Sequence, residues 1–445
     1  MAQVNKLKNL IVFKKLHLMI IWFFILAGIN INTDHFYINI FDNINNMLVY
    51  LSSCFILYIQ FFILFFLLFL NLKENLKLYE LNIFFYIFFF YNLIQIFSLF
   101  LSENNNFNII YNICSINVLL FLNLIFYREK QEINKIFYFL ISLLFIIFIW
   151  FYFESIYNLI FANQLFYGHY DGISNLIPDF IPPRSSGLGR MALIIFLFSI
   201  IFFQINSLKE KIVLSILIIP GIFLTQSRII VFLYLMIFIA FTFSNYFGFK
   251  NLRFKSFKKN LVLLLIIPLL FSFSLSQLKE SNINYLKNKF FELVGKKELI
   301  NDKLKQNYKL LRPTSPQSFT SYRFDDWTEI ISKSKKNYLI GNGTQADRYL
   351  INQTASNSLI YFYSSSGVFG VFLFILIFFN LLRKTKILIF NLKNAKPKNK
   401  NLIFSTMIII ILSIRSLVET SFAVFGVDYI FFIISLYLIA NERKT

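Results

Sequence analysis

Long apolar runs separated by short polar connections dominate the chain, and they predict an all-α protein that crosses a membrane many times. Runs such as 61–70 and 194–203 contain no charged residue. Because about 20 apolar residues are needed to cross the hydrocarbon core as a helix, the pattern predicts about twelve spans. We place these spans approximately at 16–32, 47–70, 79–101, 108–127, 135–157, 190–206, 211–226, 229–247, 260–278, 358–382, 402–418 and 424–440.

One long polar segment, residues 279–357, interrupts this pattern between the ninth and the tenth predicted span. We therefore divide the chain into helices one to nine (1–278), a large loop (279–357) and helices ten to twelve (358–445). Within the loop, Lys alternates with Leu, Phe and Tyr at roughly helical spacing over 284–311, which predicts amphipathic helices. A second loop helix is predicted to begin near Ser321 and to end before Asn337.

The distribution of charge gives the predicted helices an orientation. Only 15% of the 445 residues are charged, whereas soluble domains have about a quarter. More than half of the 43 Lys and Arg residues fall on the connections of one side, while the short connections at 33–46 and 102–107 carry none. The positive-inside rule therefore predicts cytoplasmic termini and an outward-facing large loop. The net charge of +21 follows from this topology, so we expect no nucleic-acid partner.

The cysteines and histidines show neither a disulfide framework nor the spacing of metal ligands. Cys54 and Cys114 both lie inside apolar runs, which predicts two buried thiols. His17, His35 and His169 are scattered along the chain. We therefore expect no metal site and no cofactor.

Four arginines carry the most specific chemistry. Outside the large loop, the outward side holds Arg184, Arg190 and Arg228 but no lysine, and Arg415 lies at the outer end of the eleventh predicted span. Arginine binds phosphate oxygens through a planar, bidentate fork, so this set favours a phosphate or diphosphate ligand. In the alternative interpretation, individual arginines reach lipid headgroups or pair with carboxylates such as Glu419.

Four motifs follow one another between residues 184 and 370. They are the Arg-x-x-Gly segment 184–187, the Ser227-Arg228 turn, the loop segments 322–327 and 339–343, and a loop exit at Asn357 that precedes Gly367 and Gly370. In this order, and on one side of the predicted membrane, they resemble the O-antigen polymerase and O-antigen ligase superfamily of bacterial envelope enzymes. The family has a His before the loop-exit Asn, where this chain has Ser356.

The resemblance implies a GT-C-like fold and a glycosyltransferase of the bacterial inner membrane whose active site faces the periplasm. Such an enzyme transfers an oligosaccharide from an undecaprenyl-diphosphate carrier to another carrier-linked unit (a polymerase) or to lipid A-core (a ligase). The implied partners are this lipid-linked donor and acceptor, membrane lipids and a chain-length regulator. A lipid-linked oligosaccharide flippase is the rival interpretation, although flippases usually show two similar halves with charges spread through their spans.

The resemblance also assigns roles to particular residues. It implies that Arg184, Arg190, Arg228 and Arg323 handle the diphosphate, and it places Arg415, Asn357, Ser356, His169, Asp325 and Glu419 as substrate contacts. A serine is not a useful base near neutral pH without help, so Ser356 in place of the His favours a polymerase over a ligase. The base itself stays open among His169, Asp325, Asp326, Glu329 and Glu419.

Overall fold

Helices account for most of the structure, as the apolar runs predict. The computed structural model describes residues 83–104, 108–128, 185–203, 213–225, 227–242, 323–394 and 400–441, together with single helical positions between 138 and 153. These residues include no β-strand. The predicted spans at 16–32, 47–70 and 260–278, and the amphipathic helices over 284–311, lie outside the described residues.

The helix bounds agree with most of the predicted ones to within a few residues. In chain order the helices are α1 (Ile83–Leu101), α2 (Ile109–Arg128), α3 (Ser185–Phe203), α4 (Ile219–Leu224), α5 (Arg228–Thr242), α6 (Arg323–Ser334), α7 (Ala346–Ile351), α8 (Ser358–Asn394), α9 (Lys400–Arg415) and α10 (Val427–Asn441). A π-helical turn, Val213–Ile218, leads into α4, and 3-10 turns at Lys335–Asn337 and Ser421–Ala423 follow α6 and α9. The predicted helix of the large loop is confirmed as α6.

The described helices belong to two compact units. The first unit contains α1, α2, α6, α7, α8 up to residue 391, α9 from residue 401, and α10. The second unit contains α3, α4, α5 and the helical positions between 138 and 153. The final part of the large loop, residues 323–357, thus belongs to the same compact unit as α1, α2 and α8.

Helix α1 exposes apolar side chains and buries three polar ones among its apolar residues. The polar residues of its buried face are Asn92, Gln95 and Ser98. Its exposed apolar side chains recur every three or four residues, at Tyr86, Phe90, Leu93, Phe97 and Phe100. A helix that is apolar on its exposed face is unfavourable in water and typical of contact with lipid. In the described part of the chain, α1 and the stretch Ser358–Lys384 of α8 are long and apolar enough to cross a membrane, a sign of membrane association. The full set of twelve spans stays a prediction.

The helix α8 is broken within its first third, at Gly367, where the sequence pattern predicted an uninterrupted span. Gly367 has φ 60° and ψ −151°, a backbone conformation that is open almost only to glycine. Such a break deprives neighbouring backbone groups of their helical hydrogen bonds. On the far side of the break, the amide of Val368 donates instead to the carbonyl oxygen of Tyr338, at 2.9 Å.

The loop segment 338–343 provides partners on the near side of the break as well. The amides of Asn342 and Gly343 donate to the carbonyl oxygens of Ser364 and Ser365, at 2.8 and 2.9 Å. The loop backbone therefore replaces bonds that a continuous helix would have made within itself. As a result, non-helical backbone is held against the first third of an apolar helix.

Candidate functional site

Arg323 and Glu419 form an ion pair at the loop exit. The guanidinium of Arg323 donates from Nη1 to the carbonyl oxygen of Val418 at 2.8 Å and from Nη2 to Glu419 Oε1 at 3.3 Å. The side chains of Arg323 and Glu419 are 29% and 16% exposed, so the pair is shielded without being sealed. These bonds use two of the five N–H donors of a guanidinium. The start of α6 is thereby fixed to the turn that follows α9.

Asn357 fixes the loop exit to the same turn. Its side-chain oxygen accepts a hydrogen bond from the amide of Ile360 at 3.1 Å, which caps the first turn of α8. Its side-chain nitrogen donates to the carbonyl oxygen of Leu417 at 2.8 Å. Ser356, the position of the expected His, has a positive φ of 49° and lies with its hydroxyl 3.4 Å from that of Thr354. The structure therefore brings Asn357, Arg323 and Glu419 to one turn.

A buried carboxylate shapes the chain just before this exit. The two carboxylate oxygens of Asp347 accept hydrogen bonds from the amides of Arg348 and Ala355, at 3.0 and 2.7 Å. The indole of Trp327 donates to the carbonyl oxygen of Ala355 at 2.6 Å. Burial raises the pKa of Asp347, against the opposing effects of Arg348 and of these backbone amides. Asp347 thus supports the loop exit from within the protein, a role that the sequence did not indicate.

The three acids of α6 differ in their surroundings. Asp325 and Glu329 are exposed, and Glu329 pairs with Lys333 at 2.8 Å. Asp326 is partly buried, and desolvation, followed by the nearby Glu329 and Asp325, raises its pKa. The backbone carbonyl oxygen of Asp325 accepts a hydrogen bond from the hydroxyl of Thr328. Among the candidate bases that the structure describes, Glu419 is hydrogen-bonded through its side chain to Arg323.

Arg415 lies inside the first unit. Its guanidinium is hydrogen-bonded to the carboxylate of Asp428, and these side chains are 4% and 1% exposed. The hydroxyl of Ser421 lies 3.3 Å from the same carboxylate oxygen. This placement favours a structural ion pair between the end of α9 and the start of α10 over the predicted contact with substrate. The sequence reasoning overlooked Asp428, because an acid in the first turn of a helix is common.

The second unit holds two of the predicted diphosphate ligands. Arg190 lies on α3, and Arg228 is an exposed residue that begins α5. The backbone at Gly189 approaches the turn before α5 so closely that an added Cβ would lie 2.8 Å from the hydroxyl of Thr225. The segments that carry Arg190 and Arg228 are therefore neighbours. Arg184 and His169 lie outside the described residues.

A network of uncharged polar groups joins the large loop to α1 and α2. Asn112 donates to Gln95 Oε1 at 2.7 Å and accepts a hydrogen bond from the hydroxyl of Thr344. Asn104 donates to the carbonyl oxygens of Asn342 and Thr344, at 2.8 and 3.0 Å. These bonds satisfy loop backbone that is buried between helices. The repeated Asn and Gln within apolar runs were the available sequence signal for this network.

A small cavity adjoins the network. Its walls include the side chains of Tyr91, Gln95 and Tyr361. The residues that the structure describes include no group of three or more His, Cys, Asp or Glu side chains that could hold a metal ion. Cys114 is buried, as predicted, whereas Cys54 lies outside those residues.

Comparison with known proteins gives no relative: no protein-family model, no curated protein and no solved structure matches the chain.

Proposed function

We propose that the chain is a membrane glycosyltransferase that polymerises undecaprenyl-diphosphate-linked repeat units into O-antigen or a related surface polysaccharide. The reaction is placed at the periplasmic face of a bacterial inner membrane. The growing glycan is passed from its carrier to the non-reducing end of another carrier-linked repeat unit, and no cofactor is assigned. This proposal rests on the motif resemblance together with the geometry of the loop exit.

The observation that carries the proposal is the meeting of two motif residues, Arg323 and Asn357, with Glu419 at one turn. Arg323 and Asn357 come from separate motifs of the large loop, and Glu419 follows α9 in the sequence. Asn357 donates to the carbonyl oxygen of Leu417, and Arg323 donates to that of Val418 and to the side chain of Glu419. Residues that are distant in sequence but meet at one partly exposed edge are what a functional site requires.

The chemistry that this edge can support is group transfer with a diphosphate leaving group. The acceptor hydroxyl oxygen bonds to the anomeric carbon while the bond from that carbon to the diphosphate oxygen breaks. The electron pair leaves with the polyprenyl diphosphate, and Arg323 stabilises the developing charge. Glu419 accepts the hydroxyl proton, and Arg323 orients its carboxylate through the 3.3 Å contact.

The test is an Arg323→Lys variant expressed in cells that lack the native copy. Lysine keeps the charge but loses the planar fork, so we expect loss of the long polysaccharide chains at unchanged protein level. Arg383→Lys is the matched control, because Arg383 is an exposed arginine far along α8. The readout is a gel of the surface polysaccharide.

The pattern on that gel separates the candidate functions. Loss of long chains with retention of single-repeat lipopolysaccharide supports the polymerase. Loss of single-repeat forms as well would assign the ligase activity instead. Normal ladders in Arg323→Lys, with Glu419→Gln equally normal, would overturn the proposed site.

A further inference from the structure

The broken helix α8 carries a long apolar face that is exposed in the described part of the chain. Its exposed side chains recur every three or four residues, as on one face of a helix. They are Val368, Phe369, Phe372, Ile375, Phe379 and Leu382. A continuous apolar face of this length is unfavourable in water and is typical of contact with lipid acyl chains.

This face continues onto the large loop. The amides of Val368 and Phe369 donate to the carbonyl oxygens of Tyr338 and Leu339, at 2.9 and 3.5 Å. The side chains of Tyr338 and Leu339 are themselves 53% and 49% exposed. The loop residues Tyr338 and Leu339 therefore lie beside Val368 and Phe369, the first exposed residues of α8 after the break.

Basic residues border the apolar loop residues on one side. Lys335 and Lys336 directly precede this part of the loop and are exposed. Lys336 Nζ lies 3.8 Å from Glu103 Oε1, but both side chains are about 80% exposed, so this pair contributes little. Lysine and tyrosine next to an apolar face are typical of the boundary between acyl chains and headgroups.

We propose that these residues form a docking surface for phospholipids of one leaflet. We call it the interfacial patch, and it consists of Lys335, Lys336, Tyr338, Leu339, Val368 and Phe369. Acyl chains contact Leu339 and Phe369, and anionic headgroups lie near the two lysines. The inference rests on the proposed placement of the chain in a membrane, but it does not depend on the glycosyltransferase activity.

The patch sets the depth of the large loop. Asn342 and Gly343, which follow the patch in sequence, donate to the carbonyl oxygens of Ser364 and Ser365, which precede Val368 and Phe369 on α8. Because α8 is predicted to begin at the outer face, residues 342 and 343 lie on the outward side of the patch. The loop is thus anchored in the bilayer near its end.

Spin labels on the full chain test the patch. Single cysteines replace Leu339, Phe372 or Ser332 in a background without Cys54 and Cys114, and the labelled protein is reconstituted in phosphatidylcholine vesicles containing phosphatidylglycerol. Collision rates with oxygen, which concentrates in lipid, are compared with those of a water-soluble nickel chelate. Phe372 serves as the lipid reference and the exposed Ser332 of α6 as the water reference.

We expect the ratio of oxygen to nickel collisions at Leu339 to be severalfold above that at Ser332 and near that at Phe372. A ratio at Leu339 equal to that at Ser332, with Phe372 still in lipid, would overturn the patch and leave the membrane placement intact. Shielding of Leu339 from both reagents would mean that protein covers the surface, which also overturns the proposal. If Phe372 itself proved accessible to nickel, the membrane placement would fall.

The role of the lysines has its own comparison. In vesicles of phosphatidylcholine alone, the label at Leu339 is expected to shift towards the nickel reagent. A double variant, Lys335→Gln with Lys336→Gln, should remove the difference between the two lipid mixtures. If the label at Leu339 gave the same collision ratio in both lipid mixtures while both lysines were unmodified, the anionic headgroup would be excluded from the patch.

Discussion

Single side chains at the loop exit are held mainly by backbone carbonyls. Arg323 binds the carbonyl oxygen of Val418, and Asn357 binds that of Leu417. Bonds to backbone are insensitive to the identity of the residue that provides the carbonyl. The placement of these side chains therefore depends on the path of residues 416–420 more than on their side chains, Glu419 excepted.

The buried carboxyl of Asp347 is expected to make stability depend on pH. Burial raises its pKa above the ordinary value of 3.8, so the folded state retains the proton over a window in which the unfolded state has lost it. The free energy of unfolding, relative to that of an Asp347→Asn variant, should then fall as the pH rises from about 4. The loss is about 1.4 kcal/mol for each unit by which the pKa of Asp347 in the folded protein exceeds that in the unfolded protein. Thermal unfolding of both proteins in detergent at several pH values measures this difference.

Other carboxyl groups titrate in both proteins, and subtracting the variant removes their contribution. A difference between the two proteins that rises with pH, or stays flat, would contradict a raised pKa for Asp347. Asp325→Asn is the matched control, because Asp325 is exposed and its change should not alter the slope.

The buried pair of Arg415 and Asp428 predicts strong coupling between two substitutions. Arg415→Met or Asp428→Leu alone leaves one charge buried without its partner and should cost about 3–5 kcal/mol, whereas the double variant should recover most of the loss. Denaturant unfolding of the four proteins gives the coupling energy. Additive losses in the double variant would show that the ion pair is not the reason for the burial.

The sequence predicted side-chain chemistry better than side-chain partners. The outward-facing arginines and the capping Asn357 are visible as residue types and spacings. The pairing of Arg415 with Asp428 is not, because it depends on how the start of α10 packs against the end of α9. Asp347 was overlooked for the same reason, since its partner amides at Arg348 and Ala355 are defined only by the folded turn.

At the level of elements, the break in α8 and the segment 338–343 form a single structural unit. The glycines make it possible, because a Cβ at Gly367 would collide with the carbonyl group of Leu339, and one at Gly341 with the backbone of Ser365 and Ser366. Close backbone approach is therefore required on both partners. The loop segment and the helix cannot adopt these conformations independently.

A Gly367→Ala substitution tests this interdependence. The backbone conformation alone should cost about 1–3 kcal/mol, and the collision with the Leu339 carbonyl adds to it. Hydrogen exchange should then increase at the amides of Asn342 and Gly343, which donate to α8 just before the break. Val368→Ala is the control, because the side chain of Val368 is exposed beside the same break.

Unchanged exchange at Asn342 and Gly343 in Gly367→Ala would show that the loop segment stays in place without the break. Helix existence was predictable from the apolar runs, but the break was not, because its stability comes from bonds with a distant segment. The run Ser364-Ser365-Ser366-Gly367 was the local signal, since serine and glycine are weak helix formers in the middle of a long apolar run.

For the whole molecule, the pattern of exposure and the pattern of charge make one topology testable. The exposed apolar faces of α1 and α8 require an apolar environment, and the basic connections predict which side faces the cytoplasm. The two arguments are independent. The pattern of burial does not tell which side of the membrane a connection faces, and the pattern of charge does not tell which helix faces contact lipid.

A cysteine at Ser332 should react with a membrane-impermeant maleimide in intact spheroplasts, in a background without Cys54 and Cys114. A cysteine at Lys73 should react only after permeabilisation, because its connection is predicted to be cytoplasmic. Mass-tag shifts on a gel give the labelled fractions. Reaction at Lys73 in intact spheroplasts, with Ser332 protected, would invert the topology.

The broken α8 also has a consequence for biogenesis. The part of α8 before Gly367 is far shorter than the roughly 20 residues that cross the hydrocarbon core, so it cannot be inserted as a span by itself. As long as segment 338–343 has not docked, a continuous helix is the state that satisfies the carbonyls of Ser364 and Ser365. We therefore expect an unbroken α8 as an assembly intermediate, which opens when segment 338–343 supplies its own amides.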